Sequence, residues 1–301
     1  MINALDFAMS TNAEGGFMFA RNLYKPINIL TWSVSPRVRN LLKNFDPKVR
    51  VNISKGGFTI KTATTASELL DALSLRYKVF YNEYQNKRFS VGLDHDEFDA
   101  VADHLLIIDD STQKIVGTYR LISSKNSENF YSETEFELGA LKLDPRPKLE
   151  LGRACIKKEY RKGSVISLLW RGIAEYARID GAKFLFGCSS IKTTDPMRTS
   201  LLMKYLDKHG HVDKSFGVRP LDTHKVPNLA LVQNVADQAS DESVKSLLPS
   251  LVESYLKMGG KILGSPAIDR DFGCIDLLTL LDLSVLGERY TKRYIKAEEV
   301  V

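Results

Sequence analysis

A glutamate in the middle of an apolar strand is the first chemical signal in this chain. In Leu149-Glu150-Leu151-Gly152 the alternation turns Glu150 away from its two leucine neighbours, onto the side of Gly152. A strand carboxylate beside a cleft can act as a general base, and one beside Arg153 or Arg120 can equally be held in a structural ion pair. The second signal is Asp94-His95-Asp96-Glu97-Phe98-Asp99-Ala100-Val101-Ala102-Asp103, with five acidic residues in ten positions and no Lys or Arg. Such a run can hold a cationic amine, a divalent metal or only water, and Phe98 between Asp96 and Asp99 would anchor it. The third is a basic loop between a strand and a helix, Lys157-Lys158-Glu159-Tyr160-Arg161-Lys162-Gly163-Ser164. From Arg153 to Arg171 there are six basic residues and one acidic one. A helix start leaves N–H groups unpaired and carries partial positive charge, and a glycine lets backbone approach an anion closely. The loop therefore reads as a cradle for a phosphate or a pantetheine arm, or as a solvated turn.

Periodicity gives the elements that must carry these residues. Residues 58–62 alternate as a strand. Residues 66–83 read as a helix capped by Ser67, with Leu69, Leu70, Leu73, Leu75, Val79 and Phe80 as its apolar stripe. Residues 105–109 and 115–123 read as two strands joined by a polar turn, and 149–156 and 184–188 as two more. Residues 165–179 form the strongest amphipathic helix, with Ile166, Leu169, Trp170, Ile173 and Ala177 on one face. Residues 197–208 and 243–258 read as helices, the latter despite Pro249, and 262–267 and 274–281 as strands. Strands and helices interleave, which predicts an α/β or α+β fold around one mixed sheet. Residues 1–56 are irregular and punctuated by Pro26, Pro36 and Pro47. Within them, 17–34 mixes Phe, Leu, Ile and Trp with Arg21 and Lys25, as a membrane-facing arm or as an extension packed on the main domain. The expected organisation is an N-terminal extension, 1–56, and one domain, 57–301.

Composition narrows the function classes. The 301 residues are 44% hydrophobic and 26% charged, which excludes a disordered or low-complexity chain. The net charge of +5 fits an acidic partner or an anionic surface without requiring either. Cys155, Cys188 and Cys274 are widely spaced in apolar runs, with no Cys-x-x-Cys, so buried free thiols in a reducing compartment are expected. There is no Gly-x-Ser-x-Gly, no phosphate-binding Walker loop, no His-Glu-x-x-His and no nucleic-acid-binding signature. No apolar run is long enough to span a bilayer and the N-terminus lacks a basic leader, so a cytoplasmic protein is expected, with contact to the inner face of the membrane left open.

Several ordered blocks together carry a resemblance. They are Leu75-Arg76-Tyr77-Lys78-Val79-Phe80-Tyr81-Asn82-Glu83, Asp96-x-Phe98-Asp99 with Asp103-His104-Leu105-Leu106, and Val116-Gly117-Thr118-Tyr119-Arg120-Leu121. Phe130-Tyr131-Ser132-Glu133-x-Glu135-Phe136, Leu149-Glu150-Leu151-Gly152-Arg153 and Tyr160-Arg161-x-Gly163 follow, then Leu168-Leu169-Trp170-Arg171-Gly172-Ile173-Ala174. Leu185-Phe186-Gly187-Cys188, Thr194-Asp195-Pro196, Leu251-Val252-x-x-Tyr255-Leu256 and Asp276-Leu277-Leu278 complete the pattern. Over roughly 58–290 the chain resembles bacterial ornithine N-acyltransferases, which make lyso-ornithine lipid. These belong to the hemolysin-like branch of the GNAT superfamily and are related in fold to acyl-homoserine lactone synthases.

The resemblance implies a mixed, splayed central sheet flanked by helices, a fatty acyl donor on acyl carrier protein, and an amino-acid amine as acceptor. On that implication Glu150 is the base, directly or through a water, with Arg153 beside it. Asp96 and Asp99 would attract the cationic acceptor, and Arg76, Arg120 and Arg153 would orient its carboxylate or hold the acidic loop. Arg161, Gly163 and Ser164 would cradle the phosphopantetheine, and Lys157, Lys158 and Lys162 would face the acidic carrier protein. No dissociable cofactor and no metal is expected. The usual GNAT donor loop has more glycines than Arg161-Lys162-Gly163-Ser164-Val165-Ile166, which suits a carrier-protein arm with a single phosphate better than a nucleotide. Another acceptor, such as glycine or an aromatic amino acid, remains open, as does a non-catalytic module that binds carrier protein or membrane.

Overall fold

The computed structural model describes residues 35–84, 92–161, 164–232 and 241–285. The 17–34 arm, Lys162 and Gly163 lie outside the described residues. Helix α1 (Pro36–Lys43) and strand β1 (Asn52–Lys55) come first, within the segment read from the sequence as an extension. Strand β2 (Phe58–Thr62) pairs with β1, and α2 (Ala66–Tyr77) follows. The cap of α2 is Thr65, not Ser67: Thr65 has extended backbone, and its hydroxyl accepts the Glu68 N–H at 3.2 Å. The helix also ends earlier than the sequence predicts, passing at Lys78–Tyr84 into a π-helical turn.

Strands β3 (Asp103–Asp109) and β4 (Lys114–Ser123) form the expected hairpin. Next come β5 (Phe136–Glu137), α3 (Ala140–Leu143), β6 (Lys148–Ile156), α4 (Val165–Asp180) and β7 (Phe184–Ile191). The remainder is α5 (Pro196–Lys208), β8 (Val212–Asp213), β9 (Arg219–Pro220), α6 (Leu229–Val232), α7 (Asp241–Lys245) and α8 (Ser250–Lys257). Strands β10 (Lys261–Leu263), β11 (Ala267–Asp269) and β12 (Cys274–Asp282) close the described chain. The helix expected over 243–258 is therefore two, because Pro249 has no N–H to continue a helix and instead caps α8. The strand expected over 262–267 is likewise two, β10 and β11.

The main sheet runs β1-β2-β3-β4-β6-β7-β12-β10-β8, with β11 on β12, and β5 pairs with β9 apart from it. It is antiparallel except at β6/β7 and β10/β8. Helix α4 packs on the Leu105 and Ile107 face of β3, whereas α2 covers the Leu106 face. Gly172 permits the first contact, since a Cβ there would lie 2.7 Å from Ile60 and from Leu105. Between two helical layers β3 is buried on both faces, hence its unbroken apolar run.

One junction departs from a continuous ladder. Strands β6 and β7 pair only at Lys148–Phe184, Leu149–Leu185 and Glu150–Phe186. Beyond Glu150, β6 pairs only with β4, and β7 only with β12. The two strands fork there, and the splayed mixed sheet with flanking helices is present as expected. At the fork, Gly187 passes so near β6 that a Cβ on it would sit 2.1 Å from the Leu151 carbonyl oxygen.

Candidate active site

The fork opens a cavity of about 360 Å³. Leu151, Gly152, Arg153 and Ala154 of β6 form one wall, and Cys188, Ser189 and Ser190 of β7 the other. Leu151 belongs to the core beneath α4, while Cys188 packs on the opposite side with Phe130 and Phe136. The cavity thus runs through the sheet. On one side its lining is apolar, with Tyr119, Leu251 and Val252; on the other lie Glu150, Asp269 and Asp276.

Glu150 lies at the crotch and lines the cavity, though only 2% of its surface is exposed. The short 3₁₀ turn Tyr131–Thr134 holds its carboxylate: Tyr131 N–H donates to Oε2 at 2.8 Å, and Ser132 N–H to Oε1 at 2.7 Å. The Ser132 hydroxyl donates to Oε1 as well. A carboxylate offers about four lone-pair sites, so with these three taken one remains, on Oε2. Burial raises the pKa of Glu150, and the donors from Ser132 and Tyr131 together with the Arg120 charge only partly offset it. The result is a carboxylate with raised proton affinity, one acceptor site to spare and a fixed orientation. No ion pair with Arg153 or Arg120 holds it.

Arg153 is on an irregularity of β6. Thr118 of β4 faces Cys155 and Arg120 faces Gly152, so Arg153 and Ala154 share the single partner position of Tyr119. Arg153 has φ 53°, as in a β-bulge, and a bulge leaves one residue out of the ladder. Its guanidinium stacks near Tyr131, Phe272 and Phe80, with ring centroids at 5.0, 5.6 and 5.9 Å. Nη2 donates to Asp96 at 3.0 Å, whereas Nε has no hydrogen-bond partner.

The acidic run is not a solvated face. Arg76 donates from Nε to Asp94 and from Nη1 to Asp99, both at 2.6 Å, and has no exposed surface. Arg120 donates to Asp96 at 2.5 Å. Asp96 caps the turn Glu97–Ala100 by accepting the Phe98 N–H, and Asp99 accepts the Asp96 N–H in return. Burial would raise the pKa of Asp99, but Arg76 and Arg120 outweigh it and hold the carboxyl far below its ordinary range. The expectation that Asp96 and Asp99 attract a cationic substrate is therefore corrected: their oxygens are spent on arginines. Of the two roles foreseen for Arg76, the geometry leaves holding the acidic loop. Arg120 and Arg153 line the cavity.

The described residues of the basic loop, Lys157 to Arg161 and Ser164, lie beyond the far end of β6 and do not line the cavity. Lys158, Arg161 and Ser164 are exposed, Lys157 is half-buried, and Arg161 Nε donates to the Ile156 carbonyl at 2.9 Å. Ser164 makes no side-chain cap on α4.

Sequence reasoning missed Tyr131, Glu135, Cys188, Asp269 and Asp276. Asp276 had a signal, an acid inside the apolar run Cys274-Ile275-Asp276-Leu277-Leu278. Burial pushes the Glu135 carboxyl up to about 9, with Asp276 adding to the effect, and burial raises Asp276 too. Burial first, then Glu135, Asp276 and Glu150, hold the Cys188 thiol well above its ordinary value, so it lines the site as a neutral thiol and not as a nucleophile.

A family model of the acetyltransferase (GNAT) domain matches residues 75–171. The L-ornithine N(alpha)-acyltransferase of Brucella abortus (strain 2308) is 32% identical over 254 residues, covering 79% of this chain and 89% of that protein. The L-ornithine N(alpha)-acyltransferase of Rhizobium meliloti (strain 1021) is 31% identical, covering 78% and 83%. Among solved structures, FeeM, an N-acyl amino acid synthase from uncultured soil microbes, is similar with a TM-score of 0.44 at 8% identity, covering 81% of this chain and 98% of that one.

Proposed function

The chain belongs to the L-ornithine N(alpha)-acyltransferase family, and from that premise we propose that it moves a (3-hydroxy) fatty acyl group from acyl carrier protein to the α-amine of ornithine, giving a lyso-aminolipid. The observation that carries this reading is the position of Glu150, at the fork, on the acidic side of a cavity whose other side is apolar.

The thioester enters from the side of Tyr119, Leu251 and Val252, with its phosphopantetheine arm toward Arg161, Gly163 and Ser164. Lys157, Lys158 and Lys162 meet the acidic carrier protein. The amino acid enters from the opposite side, and the guanidinium of Arg153 takes its carboxylate. The α-amine is largely an ammonium at neutral pH and cannot attack in that form. The free site on Glu150 Oε2 accepts one proton, directly or through a water. The amine lone pair then attacks the thioester carbonyl, and an N–H freed by the bulge at Arg153 and Ala154 supports the oxyanion. As the intermediate collapses, the C–S bond breaks, the amide forms, and the nitrogen's second proton passes to the departing thiolate. Glu150 returns its proton to solvent.

Glu150→Gln keeps the shape and removes the base. Turnover measured by mass spectrometry of N-acylornithine should fall by about 10²–10⁴-fold, while carrier-protein binding survives. Unchanged turnover would remove Glu150 from the chemistry.

A further inference from the structure

On the same side of the cavity as Glu150 stands a second acidic wall that the chemistry above does not use. Asp276 projects from β12, is 3% exposed and lines the cavity, and its Oδ1 has no hydrogen-bond partner. Asp269 on β11 lines the same wall. Asp276 is hydrogen-bonded to Ser190 and to Glu135, which is equally buried, so that the two carboxyls share a proton; Oε2 of Glu135 also lacks a hydrogen-bond partner.

Register places this wall relative to the base. Glu150 pairs with Phe186 of β7, and Asp276 with Ser190 of the same strand. Residues 186, 188 and 190 share one face, so both carboxylates belong to the same side of the sheet, with Cys188 midway between them. Four residues of strand separate the two positions, about 13 Å along β7. Strands β6 and β12 flank β7 at about 5 Å on either side, so the two Cα positions stand about 16 Å apart; a four-carbon chain with an amine at each end, extended by a hydrogen bond of about 2.8 Å beyond each, spans about 12 Å, and both acidic side chains line the cavity between them. Burial raises the Asp276 carboxyl, and the Arg153 charge offsets that only in part. Arg153 of β6 is already engaged by Asp96, and Lys192 lines the cavity at the far end of β7. The remaining titratable neighbours are Tyr131, Cys188 and Cys274. A buried carboxyl oxygen without a donor is costly, and a ligand ammonium supplies donors and charge together.

Resting on the acyl-transfer reading, we infer that Asp269 and Asp276, backed by Glu135, form the subsite for the acceptor's side-chain ammonium and so select a short cationic amino acid over an uncharged one. The oxygens of Asp269 and Asp276 and the Cys274 sulfur lie within 4.8 Å of one another, a spacing that also suits a metal ion.

The test compares kcat/KM for ornithine and for norvaline, the same carbon chain without the side-chain amine, with an acyl-carrier-protein thioester as donor. The wild-type protein should prefer ornithine. Asp276→Asn should lower kcat/KM for ornithine by about 10- to 100-fold, mostly through KM, and lower that for norvaline far less. In the wild type the ornithine KM, but not the norvaline KM, should fall as pH rises from about 6 to 8, because the Glu135–Asp276 pair gives up its shared proton to receive the ammonium. These wild-type measurements decide the matter even if the variant does not fold. A wild-type protein that acylates both amino acids alike, a variant with an unchanged ratio, or a stoichiometric divalent ion lost in Asp276→Asn would overturn the subsite. A wild-type protein that acylates neither would overturn the acyl-transfer reading instead.

Discussion

Arg76 has no exposed surface, and two of its nitrogens each lie 2.6 Å from a carboxylate oxygen, one on Asp94 and one on Asp99. With Arg120 and Arg153 on Asp96, three arginines face three aspartates, and the patch is close to neutral. That balance keeps the acidic run from serving as the amine site and makes it the support that fixes Arg153 beside Glu150. Removing one partner of a buried pair leaves the other charge uncompensated, so Arg76→Met should cost about 3–5 kcal/mol in urea unfolding. Arg76→Lys keeps the charge but loses the fork that grips both aspartates, and should cost less. A midpoint for Arg76→Met equal to that of the wild type would mean the patch does not hold this end of the site. These residues were legible because type and order alone mark them: a strand glutamate, a dense acidic run, arginines at each step between. Which arginine met which aspartate was not legible, since Arg76 and Asp99 are brought together only by packing of α2 over β3 and β4.

At the scale of elements, the fork between β6 and β7 matters most, and Gly187 sets how closely the strands approach before they part. A methyl group there would stand 2.1 Å from the Leu151 carbonyl oxygen, a contact only backbone movement can relieve. Gly187→Ala should therefore lower stability by about 1–3 kcal/mol. Its loss of turnover should exceed what unfolding explains, because Leu151 and Glu150 are adjacent. Thermal melting alongside turnover at a temperature where the variant is fully folded separates the two effects, and normal turnover in the folded variant would show the fork tolerates widening. The long elements were readable to within a few residues, since half-buried strands and amphipathic helices write their period into the sequence. Short strands such as β5, β8 and β9 have too few residues for a period to appear. The acidic wall escaped notice for a related reason: β12 is buried on both faces, and nothing local says that residue 276 lies beside residue 190.

For the whole molecule, buried titratable groups oppose one another across the pH scale. Burial holds His104 neutral in the folded state, with a pKa lowered to about 4. Unfolding restores a value near 6.5, so between those limits the unfolded chain binds a proton the folded chain does not, and stability falls as pH drops from about 6.5 to 4. Its full extent is on the order of 3 kcal/mol. Asp99, with its lowered pKa, adds a further loss only below about pH 4. Glu135 acts with the opposite sign. Its folded carboxyl keeps a proton up to about 9 that the unfolded one releases near 4.5, so stability falls as pH rises across that window. Between about pH 4.5 and 6.5 the two slopes oppose and largely cancel, so melting temperature should hold a plateau there and fall above about 6.5, where Glu135, joined by the other burial-raised carboxyls Glu150 and Asp276, acts unopposed. His104→Gln should turn the plateau into a decline with rising pH, and Glu135→Gln should tilt it upward and weaken the alkaline fall, as followed by circular dichroism from about pH 4 to 9. Curves parallel to the wild type would mean that other groups control both the plateau and the alkaline limb. Ornithine carries the charge that the alkaline limb lacks, so saturating ornithine should raise the melting temperature more at pH 8 than at pH 6, and norvaline should not. Such a difference would tie the instability of the acidic wall to its use: the site is costly to the empty protein in just the range where the side-chain ammonium can repair it.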